Sequence, residues 1–600
     1  MKRMNNFLTL VFAALAFTAF TACTDDKNGP EDGDGVGLPK GEAWMSIRIQ
    51  TANEGRALHD PKEENGTANE TKVTTARALF FKDGTNPTDP KVLVDDISLT
   101  TEQLGLPGQS TGLGGKAFGV SKEAQYLLIV TNPSSKFGTF TKGTTYTAVN
   151  KAIESATVAD VIGASKNNFM MTNAKGGLEP STANGTLAEL TLHITAADAE
   201  SAPQAIHVDR VAAKVRLYTA SGINDNANAL IGDIGWVLNV TNKKFFPVSE
   251  RTFTWNEGAT AKTVATDGYD YTPTTGGTWF AGASSDAGTY PLNTCRAPFD
   301  KYKLGSYRID PNYKDNDVDN AATYAANYAV YSTTTRPANT DWLADKGVAY
   351  CLENTQIKAQ NQEAYTTQVL LRAQYAPKGL KNQDGTNVAP ALKAGDSWIK
   401  IGANGYYTLA SLATYIKAEL TLKFPPEKLS EDPATILTPL TDAFNTYLAS
   451  LGKSITIPAT WAAFKTELNI AGDLDKTKVE NGIVALVKKF TDLDIDDFKA
   501  GTVGSVSFFE GGWNYYPIMI KHDDVDALTA VDGPQGALNE LGEFGVVRNS
   551  VYDITVNKIM NVGFPDIPKP GKDDDEKDNL LISVQININP WTWYTQSIDL

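Results

Sequence analysis

A glycine-rich stretch, GLPGQSTGLGGK from Gly105 to Lys116, is a place where backbone N–H groups could cradle a phosphate. Its spacing fails the GxxxxGK[ST] pattern that such a loop needs, so it reads as a turn. DNDVDN from Asp315 is similar to the start of a calcium-binding EF-hand loop. Its twelfth position is Ala326 instead of a bidentate Glu, and Asn320 stands where the central Gly belongs, so a solvated turn is preferred. There is no GxSxG elbow, HExxH or CxxC, and the acids are too numerous to nominate one acid and base pair. The sequence thus implies no catalysis, no cofactor and no metal site. Trp513, Tyr515 and Tyr516 in GGWNYYPIMI could stack a sugar, although alternating aromatics more often fill a core and pair across strands.

Two residues keep a chemical consequence. Cys23 closes a leader in which Lys2 and Arg3 precede an apolar run from Phe7 to Phe20. That run is short for a bilayer span and has the layout of a secretory signal. A cysteine after Thr21-Ala22 resembles the lipobox of bacterial lipoproteins, with Phe20 where leucine is usual, so Cys23 is the candidate for lipidation. The second is Arg56, in the polar loop TANEGRALHDP, where a trypsin-like protease would cut before Ala57. Arg77 is a rival cut site, but TTARALFF has a strand pattern, which implies burial.

The elements that would hold these residues are mostly strands. In WMSIRIQ, Met45, Ile47 and Ile49 share one face and Ser46, Arg48 and Gln50 the other. Short runs bounded by Gly, Pro, Asn and Asp follow, among them AQYLLIVTN, LAELTLHI and AIHVDRVAAKVRLYT, a texture that predicts antiparallel sandwiches. The Gly and Asn loop from Ala220 suggests a domain boundary. Between about 409 and 498 the spacing turns helical, as in TDAFNTYLASLGK with Thr441 as N-cap and Gly452 as stop, which predicts a helical insertion. A length of 600 residues calls for more than one core, and 42% hydrophobic residues supply them. A net charge of -16 argues against docking on nucleic acid or anionic membranes. Cys295 and Cys351 could pair, but two buried thiols are the simpler reading.

The chain also ends in a strand. Ile582, Val584, Ile586 and Ile588 alternate with Ser583, Gln585, Asn587 and Asn589, ahead of Trp591 and Trp593, and FPDIPKPGKDDDEKDN before them reads as an extended, poorly packed tether. The two terminal strands look like alternative occupants of one slot. A cut after Arg56 would free the first and expose unpaired edges, and the tail of another copy could fill the gap. Burial of the four tail residues would contribute on the order of 6 to 12 kcal/mol before ordering costs. Before the cut, the tethered first strand competes at an effective concentration of roughly millimolar, which keeps the uncut chain monomeric.

These features resemble the fimbrillins of Bacteroidetes, and more closely those of the short fimbriae of Porphyromonas. The residues that carry the likeness are the lipoprotein-like start, WMSIRIQTANEGR, NNFMMTN from Asn167, IHVDRVAAKVRLY from Ile206, GVAYCLENTQ, RNSVYDITVNKIMNVG and INPWTWYTQSIDL with its Pro590-Trp591 pair. The helical insertion is a departure from that pattern. The resemblance implies two transthyretin-like antiparallel β-sandwich domains, export as a lipoprotein to the outer membrane and cell surface, Arg-specific maturation, and polymerisation by donor-strand exchange into adhesive fimbriae. Its partners would be other copies and related fimbrial subunits, the maturation protease, and a host or bacterial adhesion target, with the membrane touched only through the lipid before cleavage. The expected division is signal 1–22, lipidated stem 23–43, N-terminal sandwich 44–225 with removable strand 44–50, C-terminal sandwich 226–563, linker 564–579 and donor strand 580–600. A fimbrial tip adhesin or a surface glycan- or protein-binding lipoprotein that does not polymerise is the alternative.

Overall fold

Strand β4 (Ala76–Lys82) shows how this sequence makes sheets. Ala76, Ala78 and Phe80 enter one apolar core while Leu79 and Phe81 enter another, so both faces of the strand are covered. That is why TTARALFF reads as a near-continuous apolar run and not as clean alternation. The computed structural model describes residues 42–51, 64–86, 88–106, 114–173, 187–224, 227–251, 254–257, 260–263, 270–271, 302–303, 308–313, 316–356, 360–379, 386–387, 389–401, 405–407, 460–475, 477–479, 481–482, 501–503, 506–520, 545–573 and 582–592. The fold lies in the unit Ala43–Leu600 and is mainly β, with short helices and several small sheets.

In chain order the first strands are β1 (Glu42–Met45), β2 (Ile47–Thr51), β3 (Glu64–Asn65), β4, β5 (Val92–Leu99), β6 (Tyr126–Thr131), β7 (Met171–Asn173) and β8 (Gln204–Arg210). One sheet has the order β2-β8-β7-β6-β4-β5, with Ala188–Glu189 added beside β6, and β2 is its edge. Its pairs are antiparallel except β2 on β8, which is parallel.

Next come β9 (Ala212–Thr219), β10 (Ala229–Asn239), β11 (Val348–Leu352), β12 (Gln368–Pro377), β13 (Trp398–Ile401), β14 (Gly405–Tyr407), β15 (Gly501–Val503), β16 (Val506–Phe509), β17 (Trp513–Met519), β18 (Ser550–Ile559) and β19 (Ile582–Thr592). A five-stranded sheet, β11-β9-β18-β19-β3, and a three-stranded sheet, β10-β12-β17, both feed a further core. Val215, Leu217, Tyr552, Ile554 and Val556 come from the first, and Trp236, Leu371, Tyr516 and Ile518 from the second, a face-to-face sandwich. Strands β8 and β9 are separated only by Val211 yet lie in different sheets, so the sheet changes ahead of the Ala220 loop. That loop is a surface turn; the switch is made by a buried residue, Val211, which carries no turn signal.

The segment expected as a helical insertion is flanked by one small sheet, β14-β13-β16-β15. Trp398 on β13 stands opposite Phe509 on β16, their rings stacked 3.9 Å apart, which brings together the strands on either side of that segment. Within it, α1 (Trp461–Glu467) is capped by Thr460 and buries Phe464. The helix expected at TDAFNTYLASLGK lies outside the described residues.

Candidate functional site

Strand β2 and the end of β1 fill an enclosed slot. Met45, Ile47 and Ile49 are fully buried among Ala78, Phe80, Leu127, Ile129, Ile206 and Val208. On one side, Ile47 stands opposite Gln204, Arg48 opposite Ala205 and Ile49 opposite Ile206 in the parallel ladder with β8. The Gln204 N–H donates to the Ser46 carbonyl at 2.9 Å. On the other side the Gly115 N–H donates to the Ile47 carbonyl at 3.0 Å. The buried Ser46 hydroxyl donates to the Gly115 carbonyl at 2.6 Å. Trp44 exchanges two backbone hydrogen bonds with His193, 2.8 and 2.9 Å long. The described ends of the glycine-rich stretch, read from sequence as a turn, therefore lie against this strand at Gly105 and Gly115, while residues 107–113 lie outside the described residues. A Cβ at Gly105, whose φ is +57°, would stand 2.2 Å from the Ile47 carbonyl oxygen and 2.6 Å from the Gly115 nitrogen, so only glycine permits this approach.

The C-terminal strand is placed differently. β19 pairs antiparallel with β18, with Val584 opposite Val556, Ile586 opposite Ile554 and Ile588 opposite Tyr552. The register shifts between Val556 and Lys558, a bulge that leaves Asn557 unopposed, after which Ile582 faces Ile559. Ile582 is buried in the sandwich core. On its outer edge β19 meets, among the described residues, β3, where Glu64 is opposite Trp591 and Asn65 opposite Thr592. Within one chain the two terminal strands thus lie in different sheets and do not share a site.

The tether is extended but not poorly packed over its first half. Phe564 exchanges backbone hydrogen bonds with Tyr515, and Gly571 and Asp573 carbonyls accept from the Ala364 and Glu363 N–H groups. Ile567 is buried beside Val237 and Leu370. Asp566 pairs with Arg336 at 2.6 Å, and Lys572 pairs with Asp319. Prolines fix extended backbone without forbidding that it dock, which composition could not reveal. Residues 574–581 lie outside the described set.

Glu70 lies in the short helix Ala68–Thr71 that follows β3. It forms a capping box with Thr67, its carboxylate accepting the Thr67 N–H at 2.7 Å. The same carboxylate meets the Lys214 ammonium at 3.0 Å and accepts the Tyr350 hydroxyl at 2.5 Å, while the Glu70 carbonyl accepts from Arg210 Nε at 3.1 Å. Burial pushes this carboxyl up, but the bonds from Tyr350 and Thr67 and the charge of Lys214 outweigh it and hold it below its ordinary value. Burial pulls Arg210 down to about 9 against the charges of Glu70 and Asp209. The segment that follows the expected cut is thereby pinned to β8, β9 and β11. Nothing in its sequence beyond the T-x-x-E spacing at Thr67 could have signalled this.

Cys23, Arg56, Ala57 and Trp593 lie outside the described residues. Arg77 is half-buried in β4, where it is held by Asp96 and by the Gly138 carbonyl at 2.7 Å, so it lies in a strand as expected but is not fully buried. At DNDVDN, the Asp317 carboxylate accepts the Asp319 and Asn320 N–H groups, and Asn320 caps the helix Ala321–Asn327, a turn as expected. Tyr515 and Tyr516 are buried, and the Arg372 guanidinium lies 4.4 Å from the Trp513 ring and 4.2 Å from Trp342. These aromatics are core and cation partners. Cys351 is buried, its thiol pushed up to about 12 by desolvation, and Cys295 lies outside the described residues.

Residues 507–597 match the family described as major fimbrial subunit protein type IV, fimbrillin, C-terminal. The match starts within β16 and carries through β17, β18 and β19. The resemblance to the fimbrillins thus holds over residues 507–597, which are similar to the C-terminal part of that family. Among solved structures, the chain is similar to a candidate cell adhesion protein from Bacteroides eggerthii, at 11% identity over 93% of this chain and 98% of that one, TM-score 0.34. It is also similar to the tip fimbrial protein Mfa3 from Porphyromonas gingivalis with C-terminal truncation, at 10% identity over 92% and 100%, TM-score 0.29. A fimbrial assembly protein from Parabacteroides distasonis is 12% identical over 56% and 85%, TM-score 0.25. No curated protein matches the chain.

Proposed function

We propose that this chain is a structural subunit of cell-surface fimbriae, built from two transthyretin-like sandwiches, exported as a lipoprotein through Cys23, matured by Arg-specific cleavage at Arg56, and polymerised by donor-strand exchange. The observation that carries the reading is the pairing of an edge strand, β2, filling a glycine-lined slot, with a C-terminal strand that falls within the residues similar to the fimbrillin C-terminal part. Cleavage between β2 and β3 would sever the first strand while Glu70 keeps the body anchored. Emptying the slot would uncover the apolar residues around Met45, Ile47 and Ile49 and leave the β8 edge unpaired. The tail of a second copy would leave its own β18 and enter that slot. A joint of this kind is heterologous and propagates as an open filament.

The test is limited trypsin treatment of the chain lacking its signal, followed by unheated, non-reducing gels. Ladders are expected for the parent chain. Their loss is expected for Arg56→Ala and for deletion of Leu580–Leu600. Ladders of parental intensity from either variant would overturn the mechanism.

A further inference from the structure

The Ser46 site fixes how a tail must lie in the β2 slot. Ser46 is 2% exposed, and its hydroxyl donates to the Gly115 carbonyl at 2.6 Å, so a longer side chain at this position would run into the backbone that the hydroxyl meets. An occupant therefore needs apolar residues at the positions of Met45, Ile47 and Ile49, with a small hydroxyl between the first two. ISVQIN, Ile582 to Asn587, repeats MSIRIQ, Met45 to Gln50, position by position: apolar, serine, apolar, polar, apolar, amide.

Other registers break the pattern. Sliding the tail by two residues puts Gln585 at the serine site, and sliding it by four puts Asn587 there. A slip of one turns the apolar set to the other face. Ser597 follows Gln596, which would then take the Met45 position, and Thr592 lies between Trp591 and Trp593, far bulkier than Met45 and Ile47.

On this basis, and resting on the strand-exchange reading above, we infer that the donor strand enters parallel to β8 with Ile582 at the Met45 position and Ser583 at the Ser46 site of the receiving copy. Ile588 then takes the place of Thr51, opposite the buried Val208. The tail thus brings a fourth apolar residue where the expelled strand has a threonine, which gives the exchange a direction.

In this register Gln585 faces Ala205 of the neighbouring copy, at the spacing of opposed strand residues, within reach of a disulfide. Ala205 is exposed, and within one chain Gln585 pairs with Thr555 in a different sheet, so a bond between them joins copies. The experiment compares Ala205→Cys with Gln585→Cys against Ala205→Cys with Asn587→Cys, both in a Cys295→Ser background lacking the signal and Cys23. Each is trimmed with trypsin under mild oxidation and run on denaturing gels with and without reductant, while assembly is followed separately on unheated gels. Reducible ladders are expected from the Gln585 pair and at least tenfold fewer from the Asn587 pair. Dominant ladders from the Asn587 pair, or assembly with neither cross-link, would overturn the register and leave strand exchange standing. Failure of the trimmed parent chain to assemble would overturn both.

Discussion

The two terminal strands are held by opposite means. β2 is five residues long, gripped along both edges, and its apolar residues are wholly out of water. β19 is eleven residues long and has a full ladder with β18, but among the described residues its other edge meets only the two residues of β3. The first grip is short and enclosed; the second is long and open on one side. A short enclosed strand stays because it is tethered and because Gly105 and Gly115 lie against its backbone, so cutting its tether removes the advantage. An open strand needs no cut to reach solvent, only the loss of a ladder at one edge. The difference suits β2 to be expelled once and β19 to be moved whole.

The largest effect is expected at Glu70, which ties the segment after β3 to Arg210, Lys214 and Tyr350. Glu70→Gln removes the carboxylate that meets the ammonium of Lys214, whose side chain is 5% exposed, and should cost roughly 3 kcal/mol at neutral pH, read by denaturant unfolding. Its sign with pH is fixed. The folded carboxyl lies below its ordinary value of 4.5, so its contribution is complete above that pH and is lost as pH falls from there through the folded value. The variant should flatten that acid limb, and an acid limb identical to the parent would remove Glu70 as the anchor.

Gly105→Ala tests the enclosed grip alone. With backbone atoms 2.2 and 2.6 Å from the new methyl and a positive φ, it should destabilise β2 by about 1 to 3 kcal/mol. Hydrogen exchange at Ile47 and Ile49 should quicken while β18 stays protected. Equal loss at β18 would show the two strands to be one cooperative unit.

Arg336→Ala tests the docked tether. Its pair with Asp566 is partly exposed, so the change should be about 0.2 to 1 kcal/mol and should appear as faster assembly of trimmed chains. A slower assembly would mean that docking aids donation.

Much of this was legible along the chain. Alternation in WMSIRIQ and in LLISVQININ placed both terminal strands, and TTARALFF placed Arg77 in a strand, because period-two patterning is a local property. The role of the glycine stretch was not legible: GLPGQSTGLGGK says that backbone must approach something closely, but not what. The docked tether was missed for a related reason, since prolines and acids report extension and solvation, and the partners Tyr515, Arg336 and Ala364 are remote in sequence.

By itself the sequence determined the strand faces, the matching order of MSIRIQ and ISVQIN, and the arginine between β2 and β3, all consequences of neighbouring side chains. Tertiary structure alone decided that β2 lies parallel to β8 against Gly105 and Gly115, that β19 rests on β18, and that Glu70 pins the segment after β3. These are contacts between residues tens to hundreds of positions apart, where the free energy depends on which backbone edges and buried charges meet, and no local pattern encodes that choice.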